Sequence, residues 1–376
     1  MDQSKRCRVD QYFGSQNCQQ VGFQFYRKRQ KIRKEKEIPH DLDAQKSWLC
    51  FGIASGRRPV QGYRKHSFQS INGSRKENWG HLLINTTRRS AIFDKPDIKS
   101  RKFDWGQGGN CDQPRWWLND DPVATAVYNG LSLNFPRAEV FFIESVRVYR
   151  GSVSENLVSE IQAFTKQEVM HTHGHALLNR QIVAAGYDVG RIEERIDNVL
   201  HEARATPAVV KLASTMILEH ITAIGSKQIL VNDRHMAGAD HNIAALWRWH
   251  STEEIEHKGV AYDVWLQATK DWSYWKRWKI RSVMTLVVTF GFCKQRWIDT
   301  LDLLRQDGLS GLKIWLRLFW FLVGKPGMIR KLLLPWLRLF LPSFHPWNND
   351  DRSLIQLSDS KYQNAILHDG VKSESG

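Results

Sequence analysis

The chain has 376 residues, 42% hydrophobic and 25% charged, so it can bury a sizeable core as one large domain or two ordinary ones. Its net charge of +15 is uneven: residues 1–100 carry 21 Lys and Arg against 9 Asp and Glu, and residues 271–342 carry 13 against 4. The five cysteines are scattered without a C-x-x-C pair, which argues against a disulfide framework and a zinc knuckle.

The sequence also bears on where the protein resides. The N-terminal residues MDQSKRCRVD lack the apolar stretch of a signal peptide. No uninterrupted apolar run reaches the roughly 18 residues that a membrane-spanning helix needs. We therefore expect a cytoplasmic protein.

Residues 1–95 show neither a helical nor a strand period, and they include the strongly basic stretch YRKRQKIRKEKE. This composition is typical of a disordered extension. One alternative is a nucleic-acid-binding arm, which the lack of interleaved aromatic residues disfavours. The other is a start placed too far upstream of the true one. Nucleic acid is therefore not an expected partner.

Residues 96–270 read as four long helices with recognisable start and stop signals. The first is predicted to follow Asn134, with Pro136 in its first turn, and to end near Arg150. The others are predicted to run from Ser154 to Gly186, from Thr206 to Val231 and from about Asp240 to Thr269. Long helices joined by moderate loops predict an all-α fold, namely a ferritin-like four-helix bundle with additional C-terminal helices.

Residues 271–345 supply those additional helices as three basic, Trp-rich apolar segments: WSYWKRWKIRSVMTLVVTFGFC, LKIWLRLFWFLVG and MIRKLLLPWLRLFLP. They are expected either to pack on the bundle or to lie at a membrane surface through residues 272–342. Trp and Leu beside Lys and Arg suit the headgroup boundary, which would place the protein peripherally at the inner face of the membrane. Residues 346–376 are predicted to form a polar tail.

Acids and imidazoles recur at interior positions of the four predicted helices, where they are costly unless paired, hydrogen-bonded or bound to metal. In the second helix, Glu168 and His171 are three residues apart and so share one face. In the fourth helix, His250, Glu254 and His257 form a stripe at i, i+4 and i+7. Each stripe therefore contains a Glu-x-x-His pair.

The first and third helices each offer a lone acid, Glu139 and Glu219. Two Glu-x-x-His pairs, each preceded by a helix with a lone Glu, are the ligand set of a carboxylate-bridged di-metal centre in a ferritin-like bundle. Four carboxylates offset the charge of two cations, and imidazoles suit iron. We expect two metal ions, with iron favoured and manganese or zinc as alternatives, and Glu168 and Glu254 as the catalytic carboxylates.

Three neighbouring residues are candidates for additional or supporting roles. His175 extends the face of His171 by one turn, and the sequence leaves open whether it binds metal or orients a ligand. His220 follows Glu219 directly and so points about 100° away from it, which favours a hydrogen bond over ligation. Glu253 is expected to fix the tautomer of an imidazole, although a surface position is the alternative.

Four stretches also carry a family resemblance: FPRAEVFFIESVR (135–147), FTKQEVMHTHGHALLN (164–179), LASTMILEHITA (212–223) and LWRWHSTEEIEHKGVAYDVW (246–265). They resemble a bacterial family of predicted metal-dependent hydrolases over roughly residues 98–345. Where that family usually has Gly before the first Glu, this chain has Ala138. More remotely, the layout is similar to ferritin-like di-iron N-oxygenases that act on p-aminobenzoate-type arylamines. The latter resemblance implies the metal ligands Glu139, Glu168, His171, Glu219, His250, Glu254 and His257.

The sequence favours a di-iron enzyme that activates O₂ to oxidise or oxygenate an apolar or amphipathic small molecule, with an electron donor as its partner. A site rich in Glu and poor in His suits two irons that change oxidation state. A metal-dependent hydrolase using the same Glu and His residues is the first alternative, and a non-enzymatic iron-binding bundle is the second. Assembly into a homo-oligomer is compatible with each of them.

Overall fold

The computed structural model describes residues 95–101, 103 and 114–361. These residues form helices and no β-strand, apart from one isolated bridge between Leu118 and Ala239, which confirms the all-α fold class. They belong to one compact unit, Asn85–Gly376. Nearly all of the predicted N-terminal extension, residues 1–94, lies outside the described part of the chain.

The four longest interior helices pair into a bundle. In chain order the α-helices in the described part of the chain are α1 (Pro122–Arg147), α2 (Glu155–Ala184), α3 (Gly190–Arg204), α4 (Ala208–Val231), α5 (His241–His257), α6 (Val260–Ala268), α7 (Tyr274–Gln306), α8 (Leu312–Phe319), α9 (Met328–Leu337) and α10 (352–361). The four that pair are α1, α2, α4 and α5. Helix α1 lies along α2, and α4 lies along α5, while α1 also contacts α4 and α2 contacts α5. Helix α3 connects the two pairs, and α7 packs across α1 and α4.

Helix α1 begins well before the predicted start after Asn134. Its true start has complete signals, because the carboxylate of Asp121 accepts the main-chain N–H groups of Val123 and Ala124 and Pro122 occupies the first turn. The prediction was wrong because a second proline in the same helix also resembles a start signal.

That second proline, Pro136, lies inside α1. Proline has no N–H, so it cannot donate to the main-chain oxygen of Ser132 four residues earlier. The side-chain Nδ2 of Asn179 on α2 donates to this oxygen instead, at 3.1 Å. The interior proline is tolerated in part because a neighbouring helix supplies a donor.

The predicted fourth helix is divided into α5 and α6, with Lys258 and Gly259 between them. A Cβ atom at Gly259 would lie 2.8 Å from the indole of Trp347, so glycine allows the C-terminal segment to approach the bundle closely. Helix α3 was not predicted; it buries Ile192 and Ile196.

Buried apolar side chains form two clusters along the bundle. One contains Phe135 of α1 and Leu178 of α2, and the other contains Phe142 of α1 and Phe164 of α2. On α1, Glu139 lies between the two phenylalanines in sequence. A layer of buried acids and imidazoles therefore separates the two apolar clusters.

Part of the predicted polar tail is attached to the bundle. The carboxylate of Asp351 accepts hydrogen bonds from Lys227 Nζ at 2.7 Å and from Lys258 Nζ at 2.6 Å. Farther along, Asp359 accepts a hydrogen bond from Arg101 Nε at 2.7 Å. Residues 346–361 thus contribute to the packing of the bundle.

Among the described helices, α4 alone is long and apolar enough to cross a membrane by length and composition. Half of its most apolar stretch is buried inside the protein, and the helix carries the buried Glu219. These features are typical of a core helix, so we assign α4 to the centre of the bundle.

Candidate metal centre

Acidic and imidazole side chains from α1, α2, α4 and α5 meet in the layer between the apolar clusters. Within the described residues they form three overlapping groups: Glu139, His171 and His250; Glu168, His171 and Glu254; and Glu168, Glu219 and His257. In each group, one donor atom per residue lies within 4.8 Å of the others, and all the side chains are buried. The structure brings together all seven residues that were predicted as metal ligands.

Two imidazoles, those of His257 and His171, each lie close to more than one clustered carboxylate. His257 Nε2 lies 3.1 Å from Glu168 Oε1 and 3.3 Å from Glu219 Oε2. It also lies 3.4 Å from Glu254 Oε1. His171 Nδ1 lies 3.8 Å from Glu168 Oε1 and 3.7 Å from Glu254 Oε1. Ligands that each lie about 2.1 Å from one cation are separated by roughly 3 to 4 Å, so these distances suit shared metal ions.

Many of these donor atoms make no hydrogen bond to any described residue. They are Oε1 of Glu139, both carboxylate oxygens of Glu168 and of Glu219, Nδ1 of His171, Oε2 of Glu254 and Nε2 of His257. Buried polar atoms without partners are rare and costly in proteins. A cation would satisfy them, and oxygen and nitrogen donors without thiolates suit iron, manganese or zinc. The residues therefore fit a bound metal.

The concentration of buried carboxylates shifts their pKa values. Burial raises the pKa of Glu168 well above its usual value, and the Glu219 carboxylate raises it further. Burial also raises the pKa of Glu219 to about 7, although His257 opposes the change. At Glu254, burial acts against ionisation, but His257 and His250 outweigh it and hold the pKa well below the usual value. The cluster is short of positive charge, which a metal ion would supply.

His171 is held by the carboxylate of Glu253. His171 Nε2 lies 3.0 Å from Glu253 Oε2, and Glu253 Oε1 accepts the main-chain N–H of Arg101 at 2.6 Å. Burial lowers the pKa of His171 well below its usual value and raises that of Glu253 to about 8. When the proton of the neutral imidazole lies on Nε2, the Nδ1 lone pair faces the cluster. Glu253 thus occupies the position of an orienting carboxylate.

His257 is held by the side-chain amide of Gln167. Gln167 Nε2 donates to Glu256 Oε2 at 2.9 Å and to the main-chain oxygen of Lys99 at 3.0 Å. Since the amide nitrogen faces these acceptors, Gln167 Oε1 accepts from His257 Nδ1, 2.9 Å away. Burial lowers the pKa of His257, but Glu254 and Glu219 outweigh it and hold the pKa well above the usual value, so without metal His257 also carries a proton on Nε2. A cation would displace that proton and bind the Nε2 lone pair.

His250 ends a chain of hydrogen bonds that begins at Asn179. Because Asn179 Nδ2 donates to the main-chain oxygen of Ser132, Asn179 Oδ1 accepts from Ser132 Oγ at 2.7 Å. Ser132 Oγ must then accept from His175 Nδ1 at 2.9 Å. His175 Nε2 consequently accepts from His250 Nδ1 at 2.8 Å. His250 Nε2, 3.1 Å from Glu254 Oε1, is the ring nitrogen that faces the cluster and would bind a cation there.

Like Glu253, the other two additional candidates, His175 and His220, lie outside the three donor groups. His175 uses both ring nitrogens in the hydrogen bonds just described, so it orients His250 rather than offering a ligand. His220 Nε2 lies 3.3 Å from the main-chain oxygen of Pro335, and its ring packs against Phe344. Burial lowers the pKa of His220 to about 4. His220 therefore belongs to the contact between α4 and the C-terminal segment.

Several supporting residues were not predicted from the sequence. Thr172 Oγ1 donates to Glu139 Oε2 at 2.9 Å. Arg101 Nη2 donates to Glu256 Oε1 at 2.6 Å, in addition to its main-chain bond to Glu253. Gln167, Ser132 and Asn179 were also missed. Helical spacing shows which residues share a face, but these contacts join different elements, and no sequence period could have found them.

The fold and the cluster together define an α-helical bundle with a buried Glu and His centre that can hold metal. The chain belongs to the family of predicted metal-dependent hydrolases, whose model matches residues 98–350, a range that contains all seven clustered residues. Comparison with curated proteins and with solved structures finds no match. The resemblance to the hydrolase-named family is thus confirmed, whereas no finding supports the N-oxygenase activity.

Proposed function

We propose that the protein binds two metal ions at the Glu and His cluster and uses them to catalyse a hydrolysis. The observation that carries this proposal is the overlap of the three donor groups: the first and second share His171, and the second and third share Glu168. One cation takes about four to six ligands, so seven clustered side chains offer more donors than a single ion can use.

Membership of a family of predicted metal-dependent hydrolases supports hydrolysis as the reaction. Bound cations would supply Lewis acidity and lower the pKa of a bound water. The protein would position them through His171 and His257, whose outer nitrogens are held by Glu253 and Gln167. Glu139 has one oxygen bound by Thr172 and would bind a cation through the other, Oε1.

The substrate is proposed to be an apolar or amphipathic small molecule. Aromatic rings border the imidazoles: Phe135 lies 4.7 Å from His250 and Trp249 lies 5.0 Å from His171, measured between ring centroids. Aromatic walls around a few polar groups are typical of small-molecule sites and exclude water.

Oxygen-dependent oxidation is a second candidate, because the donor set itself favours it. Four carboxylates and three imidazoles in a helical bundle are the kind of ligands that hold two irons in ferritin-like proteins. This reaction would require an electron donor, whereas hydrolysis would not. If the protein binds metal but catalyses neither reaction, the remaining interpretation is a non-enzymatic iron-binding bundle.

Metal content tests the site itself. Full-length protein is loaded in turn with iron, manganese and zinc, and the metal is measured per chain beside Glu254→Ala/His257→Ala. The control is His201→Ala/Glu202→Ala, which removes the same groups from exposed positions of α3. About two ions per chain, lost in the first variant and retained in the control, are expected. Equal metal in both variants would refute the site.

Turnover separates the two reactions. Metal-loaded protein is screened against ester, amide and phosphate-ester substrates with and without oxygen. Hydrolysis that needs metal, proceeds without oxygen and disappears in Glu254→Ala/His257→Ala is the expected result. Oxygen consumption by reduced, iron-loaded protein, with no hydrolysis, would favour the second candidate.

A further inference from the structure

Helix α7 exposes a stripe of large apolar side chains. Val283, Leu286, Val287 and Phe290 stand at i, i+3, i+4 and i+7, and their exposed fractions range from 50% to 73%. Residues at this spacing share one helix face. Single exposed apolar residues are common on soluble proteins, but a continuous stripe marks an interaction surface.

The next two helices repeat the pattern. On α8 the same spacing recurs at Leu312, Trp315, Leu316 and Phe319, of which Leu312 is 75% exposed. On α9 the exposed leucines are Leu333, Leu334 and Leu337. All three helices therefore leave an apolar side uncovered by the described residues.

The three stripes adjoin one another. Trp297, two helical turns after Phe290 on α7, has its ring centroid 5.4 Å from that of Trp315 on α8. Trp336 Nε1 of α9 donates to Thr289 Oγ1 of α7 at 2.9 Å. Helices α8 and α9 thus both contact α7 beside its exposed stripe. We call the joined surface of α7, α8 and α9 the apolar face.

Exposed positive charge accompanies the apolar face. The exposed basic residues on its three helices are Lys276, Lys279, Lys294, Arg305, Lys313, Arg317 and Arg330. Of these, Arg305 pairs with Asp302 and Arg317 with Asp121. Three of the four acids in residues 271–342 are bound by arginines from elsewhere in the bundle, because Asp299 and Asp302 pair with Arg195 and Asp307 pairs with Arg115. The exposed charge beside the apolar face is therefore mainly positive.

We propose that the apolar face docks on an anionic phospholipid bilayer, lying in its interface without crossing it. Leucine and phenylalanine side chains would enter the acyl boundary, tryptophans would lie at headgroup level, and lysines and arginines would bind lipid phosphates. The charge favours this occupant over a second copy of the chain, since two such faces would bring like charges together. The inference stands independently of the reaction catalysed.

Vesicle sedimentation of the full chain tests the docking. Vesicles of phosphatidylcholine alone are compared with vesicles that also contain phosphatidylglycerol, each at low and high salt. Binding at least about tenfold stronger to the anionic vesicles, and weakened by salt, is expected because each basic residue near the surface adds attraction. Absence of binding to both kinds of vesicle would overturn the proposal.

Matched variants locate the contact. Leu286→Asp/Phe290→Asp places charge on the apolar face, whereas Val183→Asp/Val199→Asp places it at positions of α2 and α3 that are each 50% exposed. Only the first variant should lose vesicle binding, by about tenfold or more. Circular dichroism and thermal melting establish that both variants are folded. Equal loss in the two variants would contradict the proposed surface.

Cys293 offers a probe that requires no charged substitution. It is exposed on α7, three residues after Phe290. An environment-sensitive fluorophore is attached to it in a variant whose other cysteines, Cys7, Cys18, Cys50 and Cys111, are serine. A blue shift with anionic vesicles is expected. A probe already blue-shifted without vesicles, together with a dimer in sedimentation velocity, would show that a second copy covers the face and would overturn the proposal.

Discussion

His257 Nδ1 lies 2.9 Å from Gln167 Oε1, and Gln167 directly precedes Glu168 on α2. Two successive residues of one helix therefore serve the same cluster in different ways. The carboxylate of Glu168 faces the Nε2 side of the imidazole, and the amide of Gln167 holds the Nδ1 side. The orientation of a residue on α5 is thus set from α2.

Removal of this amide should weaken metal binding without unfolding the bundle. In Gln167→Leu, His257 loses the acceptor that fixes its proton on Nδ1. Loss of such a partner typically lowers metal affinity by about one to two orders of magnitude. Zinc affinity is measured by competition with a chromophoric chelator. Gln267→Leu, outside the cluster, is the control. Unchanged affinity in Gln167→Leu would show that His257 needs no such support.

The chain of hydrogen bonds to His250 makes a similar prediction for His175. His175→Leu removes the acceptor for His250 Nδ1–H and should lower zinc affinity by about tenfold. His175→Gln can place a side-chain oxygen near the lost Nε2 and should recover part of the affinity. Nitrogen NMR of the imidazoles reports the His250 tautomer in each variant. If His175→Gln binds zinc no more tightly than His175→Leu, the role of His175 is limited to filling space.

Asp351 should be a large contributor to stability although it lies in the predicted tail. Lys258 is only 4% exposed, and its Nζ lies 2.6 Å from the Asp351 carboxylate. Burial lowers the pKa of Lys258 despite that partner, so Asp351→Ala leaves a buried cation unpaired and should cost about 3 kcal/mol in the free energy of unfolding. Urea denaturation measures this value.

Two variants test the origin of the Asp351 effect. Addition of Lys258→Met to Asp351→Ala should recover much of the lost stability, since the buried charge is then removed and the partner lost by Lys227 matters less at its more exposed position. Asp350→Ala, at the exposed neighbouring position, should change stability little. A loss in Asp350→Ala as large as in Asp351→Ala would instead indicate a general effect of the segment.

His235 should make the protein less stable in acid. Its Nδ1 lies 3.0 Å from the hydroxyl of Tyr128, and burial lowers its pKa from 6.5 to about 4. The unfolded chain binds the proton more readily between these values, so stability falls as the pH drops from 6.5 to 4 and changes little below 4. One pKa unit is worth about 1.4 kcal/mol, so the contribution is about 3 kcal/mol.

The comparison with His235→Asn isolates this contribution. The free energy of unfolding is measured by urea denaturation of metal-free protein between pH 4 and 7. The difference between wild type and variant should shrink or reverse as the pH falls through the window. Parallel pH profiles would mean that His235 can accept its proton without disturbing the fold.

The sequence predicted the fold through its periodicity and its helix ends. Helices α2 and α4 were located closely because Ser154 and Pro207 mark their starts. The start of α1 was missed because Pro136 has the same local signature as a first-turn proline. Only the donor supplied by Asn179 explains why a helix continues through it.

The candidate site was predictable to the extent that its residues follow helical spacing. Glu168 with His171 and Glu254 with His257 share faces, and the structure places all four in the cluster. The residues that hold the imidazoles were missed, because their positions depend on how helices face one another. Arg101 shows this most clearly, since it reaches Glu256 from a segment more than 150 residues earlier in the chain.

Pro136 has an effect at a distance from its own backbone. Because it cannot use the main-chain oxygen of Ser132, that oxygen holds the Asn179 amide in one orientation, and the direction of every proton from Ser132 to His250 follows. An alanine at 136 would restore the missing N–H and strengthen α1 locally. It would also compete with Asn179 for the same oxygen. The main-chain hydrogen bond that Pro136 cannot make therefore determines which ring nitrogen of His250 carries a proton. A more regular helix α1 would come at the expense of proton order in the buried layer.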